Sequence, residues 1–245
     1  MEKWFGADAA GLGFVMFNRE HWAALIVSLA VSAAIVIWRK ELRRGQVNRI
    51  GRWLLVGVLV SFEITLQLWY VINGEWALRY SLPLQLCSIT LLLSAVMVAR
   101  KSRTLYEPLY FLGIGGALQA LLTPSLDFAF PHMRFIHFFA AHAAIIAASI
   151  WMTAVEELRP TLRSVGRAMM WLNGIALIVY PINELTGSNY MFLSRKPPSA
   201  SILDLLAPWP WYILQLELIA AGCFLLLWLP ARAKGRKKAA VSGND

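Results

Sequence analysis

The 245-residue chain is 58% hydrophobic and only 15% charged, with a mean hydropathy of +0.57. A soluble domain is nearer half apolar and a quarter charged, so the composition excludes an ordinary water-soluble enzyme and leaves no room for a substantial soluble domain. A net charge of +9 would suggest nucleic acid in a soluble protein; here the basic residues sit in short runs at the ends of apolar segments, as topology determinants do, so membrane lipids and not nucleic acid are the expected partners.

A hydrocarbon core of about 30 Å takes about 20 apolar residues to cross in a helix. Seven segments qualify in chain order: 21–38, 53–72, 82–99, 106–123, 135–153, 165–185 and 210–230. The fourth is interrupted by Gly113, Gly115 and Gly116, small residues that allow close helix contact. Basic residues alternate along this order. The segment 39–52 carries Arg39, Lys40, Arg43, Arg44, Arg49 and Arg52; the turn 100–105 carries Arg100, Lys101 and Arg103; 154–164 carries Arg159 and Arg163, with Arg167 just beyond; the tail carries Arg232, Lys234, Arg236, Lys237 and Lys238. The intervening segments hold only Lys3, Arg19, Arg79, Arg134, Arg195 and Lys196. The fold class is therefore all-α: a polytopic bundle in the cell membrane, with seven transmembrane helices in one domain over 1–230. The N-terminus is outside, and a basic tail, 231–245, is inside and expected to be disordered. Glu2, Asp8, Arg19 and Glu20 precede the first span and its basic cluster follows it, the reverse of a secretory leader.

Polar residues within hydrocarbon are costly and face the bundle interior or a wet cavity. On this topology nearly all fall in the outer half. Glu63 and Gln67 share a face of the second span, at i and i+4. Gln85, Cys87 and Ser88 open the third, and Gln119 ends the fourth. Arg134, His137 and His142 open the fifth, Asn183 and Glu184 end the sixth, and Gln215 and Glu217 open the seventh. Asn173 alone lies clearly in the inner half. Gln119, Asn173 and Gln215 read as interhelical glue, and Cys223, beside Gly222 and Phe224, as packing. The buried carboxylates Glu63 and Glu217 must be protonated, paired or hydrated. Cys87 and His142 lie at similar depth and pair as candidate nucleophile and base. Cys87 and Cys223 form no metal or disulfide framework, and no cofactor is indicated. In the outer loop 186–209, Asn189, Tyr190, Arg195 and Lys196 are candidate contacts for a phosphate or carboxylate.

The segments Leu82-Pro83-Leu84-Gln85-Leu86-Cys87-Ser88, Phe138-Phe139-Ala140-Ala141-His142 and Asn189-Tyr190-Met191-Phe192-Leu193, with Lys196-Pro197 and Pro208-Trp209-Pro210-Trp211-Tyr212, resemble the bacterial YwaF-like integral membrane family, related to eukaryotic transmembrane protein 164. The similarity runs from the second span to the seventh. It implies a cysteine-dependent phospholipid acyltransferase in which Cys87 matches the acyl-accepting cysteine and His142 its partner. Gln85 stands where the family pattern often has histidine, so lipid binding without turnover is one form the resemblance allows. Beside this, the residues alone admit a non-enzymatic transporter or sensor that binds a small solute or cation through Glu63, Gln67 and Glu217.

The alternation of basic residues makes a direct prediction. Single cysteines placed in 186–196 react with an impermeant maleimide added outside intact cells, and those placed in 39–52 do not; labelling of 39–52 from outside reverses the topology.

Overall fold

The computed structural model describes residues 2–7, 13–197 and 202–241. Asp8, Pro198 and the last four residues of the predicted tail, 242–245, lie outside them. The described residues form helices α1 (Glu2–Phe5), α2 (Arg19–Ile37), α3 (Arg39–Leu42), α4 (Gly45–Ile72), α5 (Leu86–Arg100), α6 (Arg103–Leu122), α7 (Met133–Ala154), α8 (Leu162–Thr186) and α9 (Trp211–Val241), with 3₁₀ turns at Tyr190–Phe192 and Ile202–Leu205. Each apolar segment read from the sequence falls on a helix. By length and composition five can cross a membrane: α2, α4, α7, α8 and the Trp211–Arg232 part of α9.

The two that do not qualify have physical reasons. The segment 82–99 becomes a helix only from Leu86, because Pro83 and its neighbours form turns, which leaves α5 with 15 residues. α6 has 20 residues but carries Glu107, Pro108, Gln119 and its glycines. It also occupies the centre of the bundle, packed against α5, α7, α8 and α9. A helix wrapped by other helices has little lipid to face, so its composition need not match that of its neighbours. Its glycines serve close approach: a Cβ on Gly113 would stand 3.1 Å from Ile145 Cγ2 of α7, and one on Gly115 3.4 Å from the Phe224 ring of α9. Around α6, α2 lies on α7, and α4 lies on both α5 and α7.

α4 starts eight residues before the apolar segment that predicts it. Asn48, Arg49 and Arg52 hide that first stretch from a hydropathy reading, and two of them have partners that hold the helix in place. Arg52 donates to the carbonyls of Val98 (3.3 Å) and Ala99 (3.0 Å), cation against the carbonyl end of α5. Asn48 donates to Glu156 at 2.7 Å.

Glu156 is the hub of this basic end. One carboxylate oxygen accepts from Asn48 of α4 and, at 3.4 Å, from Trp151 Nε1; the other pairs with Lys101 at 2.7 Å. Arg43 adds a bond to the Ala154 carbonyl and an ion pair of 3.2 Å with Glu157. The connections 39–48, 100–103 and 154–162 are thereby gathered at one end. Burial pushes the Glu156 carboxyl up, but the bonds from Lys101, Asn48 and Trp151 outweigh it and hold the group below the ordinary carboxylate range. A carboxyl with a depressed folded value contributes stability that is fully present above its unfolded value, about 4.3, and is lost as pH falls through the lower folded value. Glu156→Gln is expected to lower stability at pH 7 by roughly 1–2 kcal/mol, the Lys101 side being partly solvated, and to flatten the acid limb of a thermal-denaturation series in detergent between about pH 5 and pH 3. An unchanged acid limb excludes the hub.

Candidate functional site

At the opposite end of the bundle, the connection 73–85 and the loop after α8 are sewn together. Tyr190, 1% exposed, donates its hydroxyl to the Leu78 carbonyl at 2.7 Å and accepts from the Leu82 N–H at 2.9 Å. Its own backbone is held on both sides by the buried Asn183 carboxamide, 2.9 Å in each direction. Arg79 Nε donates to the Gly187 carbonyl at 2.9 Å. Asn189 closes the loop on itself, accepting from the N–H groups of Ser194 and Arg195 and donating to the Arg195 carbonyl. Met191 and Phe192 both take left-handed backbone angles, φ 58° and 52°, an unfavourable conformation for side chains of this size that neighbours must hold. The Tyr212 hydroxyl holds the Phe192 carbonyl, and Trp209 Nε1 donates to that of Leu193 at 3.2 Å.

Gln85 is the N-cap of α5, yet its side chain does not cap the helix. Its amide oxygen instead accepts from the Met191 N–H at 3.0 Å. The opening N–H groups of a helix have no intrahelical partner, and among the described residues no protein oxygen takes those of Leu86, Cys87 or Ser88. Cys87 is the second residue of the helix, so it lies in the first turn. The N–H groups of Ser88 and of Cys87 itself face the thiol. The positive end of α5 thus bears on the sulfur directly.

His142 is buried on α7, which packs against α5. Its Nδ1–H donates to the Phe138 carbonyl at 2.7 Å, one turn earlier, and the Phe138 ring lies 4.3 Å from the imidazole. A carbonyl can only accept, so the proton is fixed on Nδ1 and the Nε2 lone pair is left open. Among the described residues no hydrogen bond joins His142 to the Cys87 thiol. His137 is held in the same way through its other nitrogen, Nε2–H donating to the Phe62 carbonyl of α4 at 2.7 Å.

Glu63 and Gln67 do form a unit. The Gln67 amide donates to Glu63 (2.9 Å) and to the Ser81 carbonyl (2.8 Å), and its oxygen accepts from Trp76 Nε1 at 3.1 Å. Glu63 is buried at 8% exposure. Glu217 is elsewhere. It accepts from Asn173 at 2.9 Å, joining α9 to α8, so these two residues, read from sequence as lying in opposite halves, meet at one level. Lys196 turns to the Leu206 carbonyl (2.7 Å) and the Tyr212 ring, whereas the Arg195 side chain is exposed. Cys87 and Cys223 are both free thiols.

Sequence reading did not find the arrangement around Arg134. Its guanidinium lies 5.0 Å from the Trp69 ring centre and 5.4 Å from that of Tyr70, with Nε buried and unpartnered. Beside it, His132 donates to the Gly6 carbonyl (3.1 Å) and accepts from the Arg134 N–H (3.1 Å). Burial holds His132 below the ordinary imidazole range, which suits a ring that uses one nitrogen as donor and the other as acceptor. Trp69 and Asn73 bind the backbone of Phe5 and Ala7. The clue in the sequence is an arginine opening an apolar helix opposite a Trp-Tyr pair that closes another.

An all-helical chain with five helices long and apolar enough to span a bilayer is an integral membrane protein. Its sequence matches the model of the TMEM164 family over residues 16–228, and the chain belongs to that family. No curated protein and no solved structure matches it.

The Tyr190 hydroxyl yields a clean test of the sewn loops. Tyr190→Phe leaves the Leu78 carbonyl only the long Ser188 bond of 3.5 Å and leaves the part-buried Leu82 N–H without its acceptor, at a cost of about 1–3 kcal/mol. Amide exchange at Leu82 is expected to quicken by at least tenfold while the basic end keeps its protection. Unchanged exchange at Leu82 denies the bridge its role.

Proposed function

We propose that the protein is a phospholipid acyltransferase working through a Cys87 thioester. All seven long helices cross the membrane, with the N-terminus and the site on the outer side. What supports the reading is that two contacting helices carry, one, a cysteine at the uncapped N-terminus of α5 and, the other, a histidine whose bond to Phe138 leaves Nε2 as an acceptor.

The chemistry follows from those atoms. His142 Nε2 takes the thiol proton, and the Cys87 thiolate attacks the carbonyl carbon of a phospholipid ester. The free N–H groups at the start of α5 receive the negative charge that forms on the carbonyl oxygen. Collapse breaks the ester C–O bond, the lysolipid leaves as an alcohol with the proton from His142, and the acyl group stays on sulfur. A second lysolipid then gives its hydroxyl proton to Nε2, attacks the thioester and releases the thiolate. Gln85 takes no part in these steps: its amide oxygen is committed to the Met191 N–H, and its side chain leaves the α5 N–H groups uncapped. The buried Glu63–Gln67 pair sets the polar wall of the same site.

Purified protein supplied with labelled phospholipid and a lysolipid acceptor is expected to transfer the label. Cys87→Ser and His142→Ala each remove at least 10²-fold of the rate, a base or nucleophile contributing on that order; Glu63→Gln is milder, about tenfold or less. The solute-carrier alternative orders these variants differently, with Glu63→Gln dominant and Cys87→Ser silent. Transfer that survives Cys87→Ser refutes the thioester.

A further inference from the structure

A second recognition element lies outside the cysteine's own surroundings. A cavity of about 240 Å³ at the same end of the bundle is lined by Ala7, Trp69, Tyr70, Glu75, Phe128 and Arg134. Two opposite charges share it without meeting: among the described residues neither Glu75 nor Arg134 belongs to an ion pair. Glu75 accepts only a long bond of 3.3 Å from the Tyr80 hydroxyl. Arg134 is steered by the rings of Trp69 and Tyr70, and its buried Nε has no acceptor. Around them stand aromatic rings: Phe128 is edge-on to Trp69 with ring centres 5.8 Å apart and stacks one face on His132 at 4.3 Å.

We infer that this cavity binds the zwitterionic phosphodiester–ammonium group of a phospholipid, the phosphate on Arg134 and the ammonium between Glu75 and the aromatic rings. A guanidinium is the natural partner of a phosphate, and a carboxylate with aromatic faces is that of an alkylated or primary ammonium. A purely anionic ligand meets repulsion from Glu75 and a purely cationic one from Arg134. Only a ligand carrying both charges satisfies both residues, and the repulsive member supplies the selectivity. The inference rests on the acyltransferase reading for its purpose, but not for its test.

The test is binding without turnover. Cys87→Ser protein in detergent is titrated with lysophosphatidylcholine and, separately, with lysophosphatidylglycerol of the same chain, and bound ligand is counted by native mass spectrometry. The zwitterionic lipid is expected to bind at least tenfold more tightly. Adding Glu75→Gln should weaken the zwitterionic lipid by about tenfold and strengthen the anionic one, a crossing that misfolding does not produce. Adding Arg134→Gln should weaken both by about tenfold or more, one charge-assisted contact being lost. Competition by millimolar phosphocholine assigns recognition to the headgroup alone; selectivity without such competition assigns it to the lipid as a whole; either supports the site. Equal binding of the two lipids, or a preference that Glu75→Gln leaves intact, overturns it. Both of those results leave the thioester reading standing, and a failed transfer assay leaves this one standing.

Discussion

One phenolic hydroxyl ties the loop after α8 to the connection that leads into α5. Tyr190 accepts from Leu82 and donates to Leu78, and with Asn183 behind it the loop after α8 becomes a template for the residues that lead into α5. That template decides where α5 begins. Gln85, the residue that would ordinarily seal the helix, reaches across to Met191 of the same loop. The first turn is left open at the cysteine. A left-handed Met191 and Phe192 are the conformational cost of presenting that N–H to Gln85 and that carbonyl to Tyr212.

A second constraint shapes everything else: a polar group without water must find its partner within the protein. Glu107, buried on central α6, is met by Arg167 from α8 and by Arg103 one turn away at 3.6 Å. Buried His21 uses both ring nitrogens, accepting from the Phe17 N–H and donating to the carbonyl of Leu121 at the end of α6. Asn173 and Glu217 answer one another between α8 and α9. Against this background, and among the described residues, the buried Nε atoms of Arg52 and Arg134 and the Ser94 hydroxyl have no hydrogen-bond partner, and His142 bonds through Nδ1 alone.

Much of the architecture was legible because hydropathy and charge report directly on the solvent a helix faces. All seven apolar segments fall on helices, and the basic runs at 39–52, 100–103 and 154–163 lie with the turns of one end. Helix starts were less legible. α4 begins among Asn48, Arg49 and Arg52, whose partners Glu156, Val98 and Ala99 come from distant positions, and no local pattern announces a bond spanning 108 residues. The site was legible where chemistry is local: Glu63 and Gln67, four apart on one helix, do bond. It was not legible where the fold decides, as with Glu217, or with Gln85, whose role as tether depends on a loop more than a hundred residues away. Cys87 shows both sides, since its residue type marked it while its seat in the first turn came from the tertiary contacts of its neighbours.

Gly51 carries a mechanical implication. A Cβ there would stand 2.5 Å from the indole of buried Trp151, so the Trp151 side chain of α7 rests directly on the backbone of α4 at this point, next to the Glu156 hub that pins both. Any motion that parts these two helices has its fulcrum here. Glu63 is twelve residues along α4, a lever arm of about 18 Å. A tilt of about three degrees at the fulcrum opens the far end by about an ångström at Glu63, and by more at Trp69. Further along, the His137–Phe62 bond ties the same two helices a second time, so α4 cannot swing away from α7 without breaking it.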